Sequence, residues 1–97
     1  MYVSGDGTKI SGKEPKVILY DLRRLKPGER DAWMTRAINY YVTCRDNAER
    51  AKGLASRYSP GTASHDRHNQ KSWAWGELAE IWIDRIREVL ADGVGQP

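Results

Sequence analysis

The sequence has a single cysteine, no phenylalanine and no long apolar run. Cys44 alone cannot form an internal disulfide or a multi-thiolate metal site. No stretch approaches the roughly 18 apolar residues that a transmembrane helix needs. The N-terminal residues MYVSGDGTKI also lack the basic and then apolar order of a signal peptide. We therefore expect a cytoplasmic protein with no membrane partner.

The length of 97 residues allows one domain with one modest core. Four Trp and five Tyr are present, and these rings must supply much of the buried area that Phe would otherwise give. We expect residues 1–97 to form a single small helical domain. Arg outnumbers Lys ten to six, and Ala and Gly number nine each. That composition is typical of a GC-rich bacterium or one of its phages.

The net charge of +3 is distributed unevenly along the chain. Residues 1–28 carry six basic and three acidic side chains, and residues 45–71 carry the same numbers. Residues 72–97 carry two basic and five acidic side chains. This asymmetry permits an anionic partner, although a net charge of +3 is well short of the dense basic footprint of most nucleic-acid-binding proteins.

Two long stretches have the apolar periodicity of amphipathic helices. The first covers about residues 29–58, with Glu29 in its first turn and a stop signal at Ser59-Pro60-Gly61. Its apolar positions recur at steps of three and four, at Met34, Ala37, Tyr41, Cys44, Ala48, Ala51, Ala55 and Tyr58. The second covers about residues 66–91, and its start could lie anywhere from Ser64 to Gln70. Its apolar face holds Trp75, Leu78, Ala79, Trp82, Ile83, Ile86, Val89 and Leu90. Asp92-Gly93, with Pro97 beyond, signals its end.

A short connection forces these helices into an antiparallel hairpin in which paired positions sum to roughly 120. Ile38 should then face Trp82, and Tyr41 should face Ala79. The predicted fold class is therefore mainly α, with residues 59–70 as the connection and start of the second helix.

The N-terminal quarter is less regular. Residues 16–25 form either a short helix or a strand, and we expect this segment to cover the remaining side of Trp75 and Trp82. Residues 1–14 are either flexible or a short β-hairpin that turns at Asp6-Gly7.

No catalytic or metal-binding arrangement can be read from the sequence. Cys44 lies on an apolar stripe with no His beside it, so a buried structural thiol is favoured. His65 and His68 stand near Asp66, but zinc needs three or four protein ligands. Acidic residues line the outer face of the second helix as a solvated surface: Glu77, Glu80, Asp84 and Glu88. We expect no enzymatic activity, no cofactor, no metal and no small-molecule substrate.

Arg36, Thr43, Arg50 and Arg57 recur every seven positions, so the three arginines lie along one flank of the first helix. They could contact phosphates or simply be solvated. The candidate phosphate-contacting residues are Arg36, Arg50, Arg57, Arg67 and Lys71.

Trp73 is the most informative aromatic residue because it projects about 160° away from Trp75 on a helix. Its ring is either covered by the N-terminal segment or an anchor for a partner. Val42 and Ile81 also lie off the main apolar stripes. The candidate interface residues are Trp73, Ile81, Val42 and Tyr58.

Two functional hypotheses follow. The first is a small non-enzymatic protein-interaction module, such as an adaptor, inhibitor or assembly component, which binds another protein or itself through an exposed aromatic and basic surface. The second is a small DNA- or RNA-binding protein that uses the arginine flank.

Overall fold

The computed structural model describes residues 1–92 and is mainly helical. Its elements are β1 (Tyr2–Val3), β2 (Lys9–Ile10), α1 (Leu19–Arg23), α2 (Pro27–Ala55) and α3 (Ala63–Ala91). The two long helices pack against each other in a body of about 55 × 21 × 19 Å. The predicted fold class, a helical hairpin with the N-terminal segment packed on it, is confirmed. Gly93 and Pro97 of the predicted stop signal lie outside the described residues.

Both long helices begin earlier than predicted because their first turns are capped. Pro27 occupies the first position of α2, and the Glu29 carboxylate accepts the Lys26 N–H at 3.2 Å. At the start of α3, the Thr62 hydroxyl oxygen accepts the His65 N–H at 3.2 Å. The second helix therefore begins at Ala63, inside the stretch that has few helix formers.

The first long helix ends at Ala55, three residues before the predicted end. Arg57 and Tyr58 donate their backbone N–H groups to carbonyls only three residues earlier, which tightens the chain out of the α-helix. Gly61 then has a φ of 89°, a left-handed conformation that glycine adopts without strain.

The α2 side of the interface with α3 consists mainly of small residues. Small buried side chains line it, namely Ala37, Cys44, Ala51 and Ala55. Ser72 donates its hydroxyl to the Ala48 carbonyl at 2.8 Å, a pairing that sums to 120 as predicted. The predicted pairing of Ile38 with Trp82 is wrong, because Tyr40 stacks on Trp82 and Ile38 is exposed.

The first ten residues form the β-hairpin that was one of the two alternatives for residues 1–14. The strands are antiparallel, with Tyr2 opposite Ile10. Gly7 has a φ of 89°, and the Asp6 carboxylate accepts the Thr8 N–H at 3.0 Å. Tyr2 and Ile10 are buried, so the hairpin contributes one face to the core.

Residues 11–18, which we call the strap, run across the two long helices. Trp82 donates its indole N–H to the Lys13 carbonyl at 2.7 Å, and Arg85 donates to the Val17 carbonyl. Gly12 lies directly against Leu78 and Trp75. The segment that covers the two Trp rings therefore begins well before residue 16, earlier than predicted.

The predicted N-terminal segment at 16–25 contains a helix and not a strand, and this helix is the five-residue α1. Leu22 is its one fully buried side chain and joins the same core cluster as the buried α3 residues. Arg23 binds Asp92 with Nε 2.9 Å from Oδ2, which ties α1 to the end of α3.

Candidate functional site

Trp73 is exposed over 69% of its surface, although it lies on the same helix as the core residues Ala74 and Leu78. It precedes Ala74 by one position and Leu78 by five, so helical rotation directs it away from the core. The N-terminal segment does not cover its ring. Of the two alternatives for Trp73, the structure supports exposure.

A shallow groove of about 470 Å³ lies beside this ring. The residues that line it are Ser4, Gly5, Asp6, Trp73, Ala74, Gly76, Glu77 and Glu80. The β-hairpin loop forms one wall and α3 forms the other. We call this feature the Trp73 groove.

Glu77 fixes the position of the loop that forms this wall. Its carboxylate accepts the Tyr2 hydroxyl and the Gly5 N–H, the latter at 3.1 Å. Burial and the neighbouring Glu77 carboxylate together raise the pKa of Tyr2, so Tyr2 remains a neutral hydrogen-bond donor. The groove is therefore preformed in the free protein.

The Trp73 groove is acidic. Its lining contains three carboxylates, from Asp6, Glu77 and Glu80, and no Lys or Arg. Hydrogen bonds from the Ser4 hydroxyl and from Thr8 lower the pKa of Asp6, so its carboxylate is charged at neutral pH. An exposed indole among carboxylates is suited to a cation, which both the ring face and the negative charges attract. The sequence hypothesis of a joint aromatic and basic surface does not describe this site.

None of the other three candidate interface residues is among those that line the Trp73 groove. Val42 is on α2, where it is 47% exposed and lies one turn beyond the exposed Ile38. Tyr58 is in the turn and stacks on His68 with ring centroids 5.6 Å apart. Ile81 is half-buried and packs against the core.

The candidate phosphate-contacting residues are all exposed and are spread along the hairpin. Arg36 and Arg50 are 14 positions apart, about 21 Å along α2. Arg57 is in the turn, whereas Arg67 and Lys71 are in the first part of α3. Sequence reasoning missed Lys13 and Lys16, which join Arg36 around one cavity beneath the strap. Their position depends on the path of the strap, which the periodicity of the helices does not reveal.

Within residues 1–92, Cys44, His65 and His68 do not come together in a catalytic or metal-binding group. Cys44 is buried, and burial raises the pKa of its thiol to about 11. Within residues 1–92, no group of three His, Cys, Asp or Glu side chains could hold a metal ion. The His65 ring contacts Asp66 at 3.3 Å, and His68 is engaged with Tyr58. Over the same residues, no helix is both long and apolar enough to cross a membrane.

Comparison with known proteins finds no matching family, no similar curated sequence and no similar solved structure.

Proposed function

We propose that this protein is a non-enzymatic interaction module that binds a basic segment of a protein partner in the Trp73 groove. The observation that carries the proposal is the 69% exposure of Trp73 beside a preformed concave surface. Trp is the residue type most often found as an energetic hot spot in protein interfaces, and such anchors concentrate binding energy in a few contacts.

Charge determines the class of partner. Three carboxylates line the groove together with the indole, and the lining contains no Lys or Arg. A Lys or Arg side chain would stack on the Trp73 ring while its charge faces Glu80 and Asp6. Cation–π contacts contribute about 0.5–1 kcal/mol at exposed sites and about 2 kcal/mol when they are desolvated. A single contact of this kind gives weak binding, so we expect the partner to add contacts along α3.

Preorganisation favours this surface over the other exposed aromatics. The hydrogen bonds from Tyr2 and Gly5 to Glu77 hold the loop wall in place before a partner arrives. A wall that is already ordered does not lose conformational entropy on binding. Tyr20 is also exposed, at 61%, but it lies on the short α1 and does not line the Trp73 groove.

The test is a selection of random peptides displayed on phage against the wild-type protein. The selected peptides are then measured against Trp73→Ala, Glu80→Gln and the matched control Tyr20→Ala. The Glu80 side chain lines the groove but makes no hydrogen bond or ion pair within residues 1–92, so its substitution changes charge without releasing the loop. Circular dichroism confirms that each variant remains folded.

The proposal predicts peptides enriched in Lys and Arg that lose at least tenfold in affinity with Trp73→Ala. It predicts a several-fold loss with Glu80→Gln and no change with Tyr20→Ala. Selected peptides of no basic character, or peptides that bind Trp73→Ala as tightly as wild type, would overturn it. Light scattering identifies the special case of self-association: a wild-type dimer that Trp73→Ala abolishes makes a second copy the partner.

A further inference from the structure

We propose that the cavity beneath the strap is a binding site for a nucleoside phosphate. The cavity lies between the strap, α2 and α3, and its volume is about 580 Å³. This is within the range of small-ligand sites, about 300–1,000 Å³. The site shares no lining residue with the Trp73 groove, and the inference does not depend on the function proposed above.

Three positively charged side chains border the cavity. Lys13 and Lys16 come from the strap, and Arg36 comes from α2. None of them forms an ion pair within residues 1–92, and Glu14 is the one acidic residue of the described lining. Cations that have no internal partner and converge on one cavity favour an anion of more than one charge. A phosphate monoester carries about −1.5 to −2 charges at pH 7.

Aromatic residues also line the cavity. Its lining includes the buried rings of Trp33 and Trp82 and the partly exposed ring of Tyr40. Tyr40 stacks on Trp82 with ring centroids 4.9 Å apart and an interplanar angle of 17°. Tyr40 as a whole residue is still 38% exposed, which leaves room for a planar group to extend the stack.

Together these two features define the ligand. A planar ring binds the aromatic wall, and a phosphate attached to it reaches the cationic rim. Nucleobases of every type stack on aromatic side chains, because every base has a π face. Arg36 provides the forked donor geometry that matches phosphate oxygens, and the two Lys residues add compact charges.

Two sources could supply this chemistry, a free nucleotide or one residue of a single-stranded nucleic acid. The sequence alone predicted no small-molecule ligand, because only Arg36 among the three cations was a candidate. The strap brings Lys13 and Lys16 to the same side of α2, and a linear reading of charge does not show this.

The experiment is a titration of ¹⁵N-labelled full-length protein with adenosine monophosphate, adenosine and inorganic phosphate, followed through the four Trp indole signals. The Trp33 and Trp82 signals report on the cavity, and the Trp73 signal serves as an internal control. Arg36→Gln is compared with Arg50→Gln, which removes an exposed arginine of the same helix two heptads away and outside the cavity lining. A single-stranded hexadeoxyadenylate is titrated in parallel.

Adenosine monophosphate should shift the Trp33 and Trp82 signals and bind at least tenfold more tightly than adenosine or phosphate alone. Arg36→Gln should weaken it about tenfold, and Arg50→Gln should leave it unchanged. Tighter and more salt-dependent binding of the hexamer assigns the ligand to single-stranded nucleic acid, whereas equal affinity assigns it to the free nucleotide. Absence of cavity shifts at millimolar nucleotide, or equal losses in the two arginine variants, would refute the site.

Discussion

Replacing Gly12 with Ala tests how the strap is held on the hairpin. The strap passes so close to α3 that a Cβ at this position would lie 2.9 Å from Cζ3 of Trp75 and closer still to Cδ2 of Leu78. Leu78 has no exposed surface and cannot retreat toward solvent. The φ of Gly12 lies outside the left-handed region, so the added methyl group introduces packing conflict and no backbone strain.

The expected loss of stability follows from overpacking. Extra methyl groups forced into a packed core cost about 1–3 kcal/mol. For a domain of this size, each 1 kcal/mol lowers Tm by about 4–8 °C, so a 2 kcal/mol loss corresponds to about 8–16 °C. If the strap lifts away to relieve the conflict, the hydrogen bond from the Trp82 indole N–H to the Lys13 carbonyl breaks. The NMR signal of the Trp82 indole should then shift.

The measurement is urea unfolding followed by Trp fluorescence, together with the indole spectrum of the folded variant. Gly53→Ala is the matched control, because Gly53 lies in the last turn of α2 and an added Cβ would have nothing within 4 Å. It should leave stability unchanged or raise it by at most about 0.5 kcal/mol through helix propensity, because the residue is close to the helix end. A Gly12→Ala variant as stable as wild type, with an unchanged Trp82 indole signal, would refute the close packing of the strap.

Three further predictions follow from other parts of the fold. Because its pKa is raised to about 11, Cys44 should react with a thiol reagent at pH 8 roughly a hundredfold more slowly in the native protein than in urea. The folded state holds the Tyr2 proton more tightly than the unfolded state, so unfolding free energy should fall as pH rises above about 10. Tyr2→Phe should make the unfolding free energy less dependent on pH, which urea unfolding at several pH values from 9 to 11 would measure. An unchanged pH dependence would contradict the raised pKa of Tyr2. Thr62→Ala should cost about 1 kcal/mol in unfolding free energy through loss of the α3 cap, with Ser64→Ala as a control.

The two long helices could be predicted because their apolar residues recur at helical spacing. Small residues recur along α2 and large residues along α3, and this pattern predicts that the two apolar faces meet, although it did not identify Tyr40 as the residue opposite Trp82. The bounds were less well predicted, since Thr62 begins α3 through a single capping bond, in a stretch of poor helix formers. Trp33 was missed as a core residue although it stands one turn before Ala37, on the same face.

The path of the N-terminal segment could not be derived in the same way. Backbone carbonyls of Lys13 and Val17 accept hydrogen bonds from Trp82 and Arg85, and backbone groups leave no residue signature in a sequence. The environment of Trp73 depends on this path. The hairpin loop that approaches it is held by Glu77, which in the sequence has the character of one more solvated carboxylate.

The most direct test of the Trp73 groove is a titration of the ¹⁵N-labelled protein with a short Arg-rich peptide, read from the four Trp indole signals. We expect the Trp73 signal to shift progressively and saturate, while the Trp33 and Trp82 signals stay in place. A glutamate-rich peptide of equal length should leave all four unchanged. A Trp73 signal that does not respond to the Arg-rich peptide, or that moves no more than the other three, would contradict the proposed interaction surface.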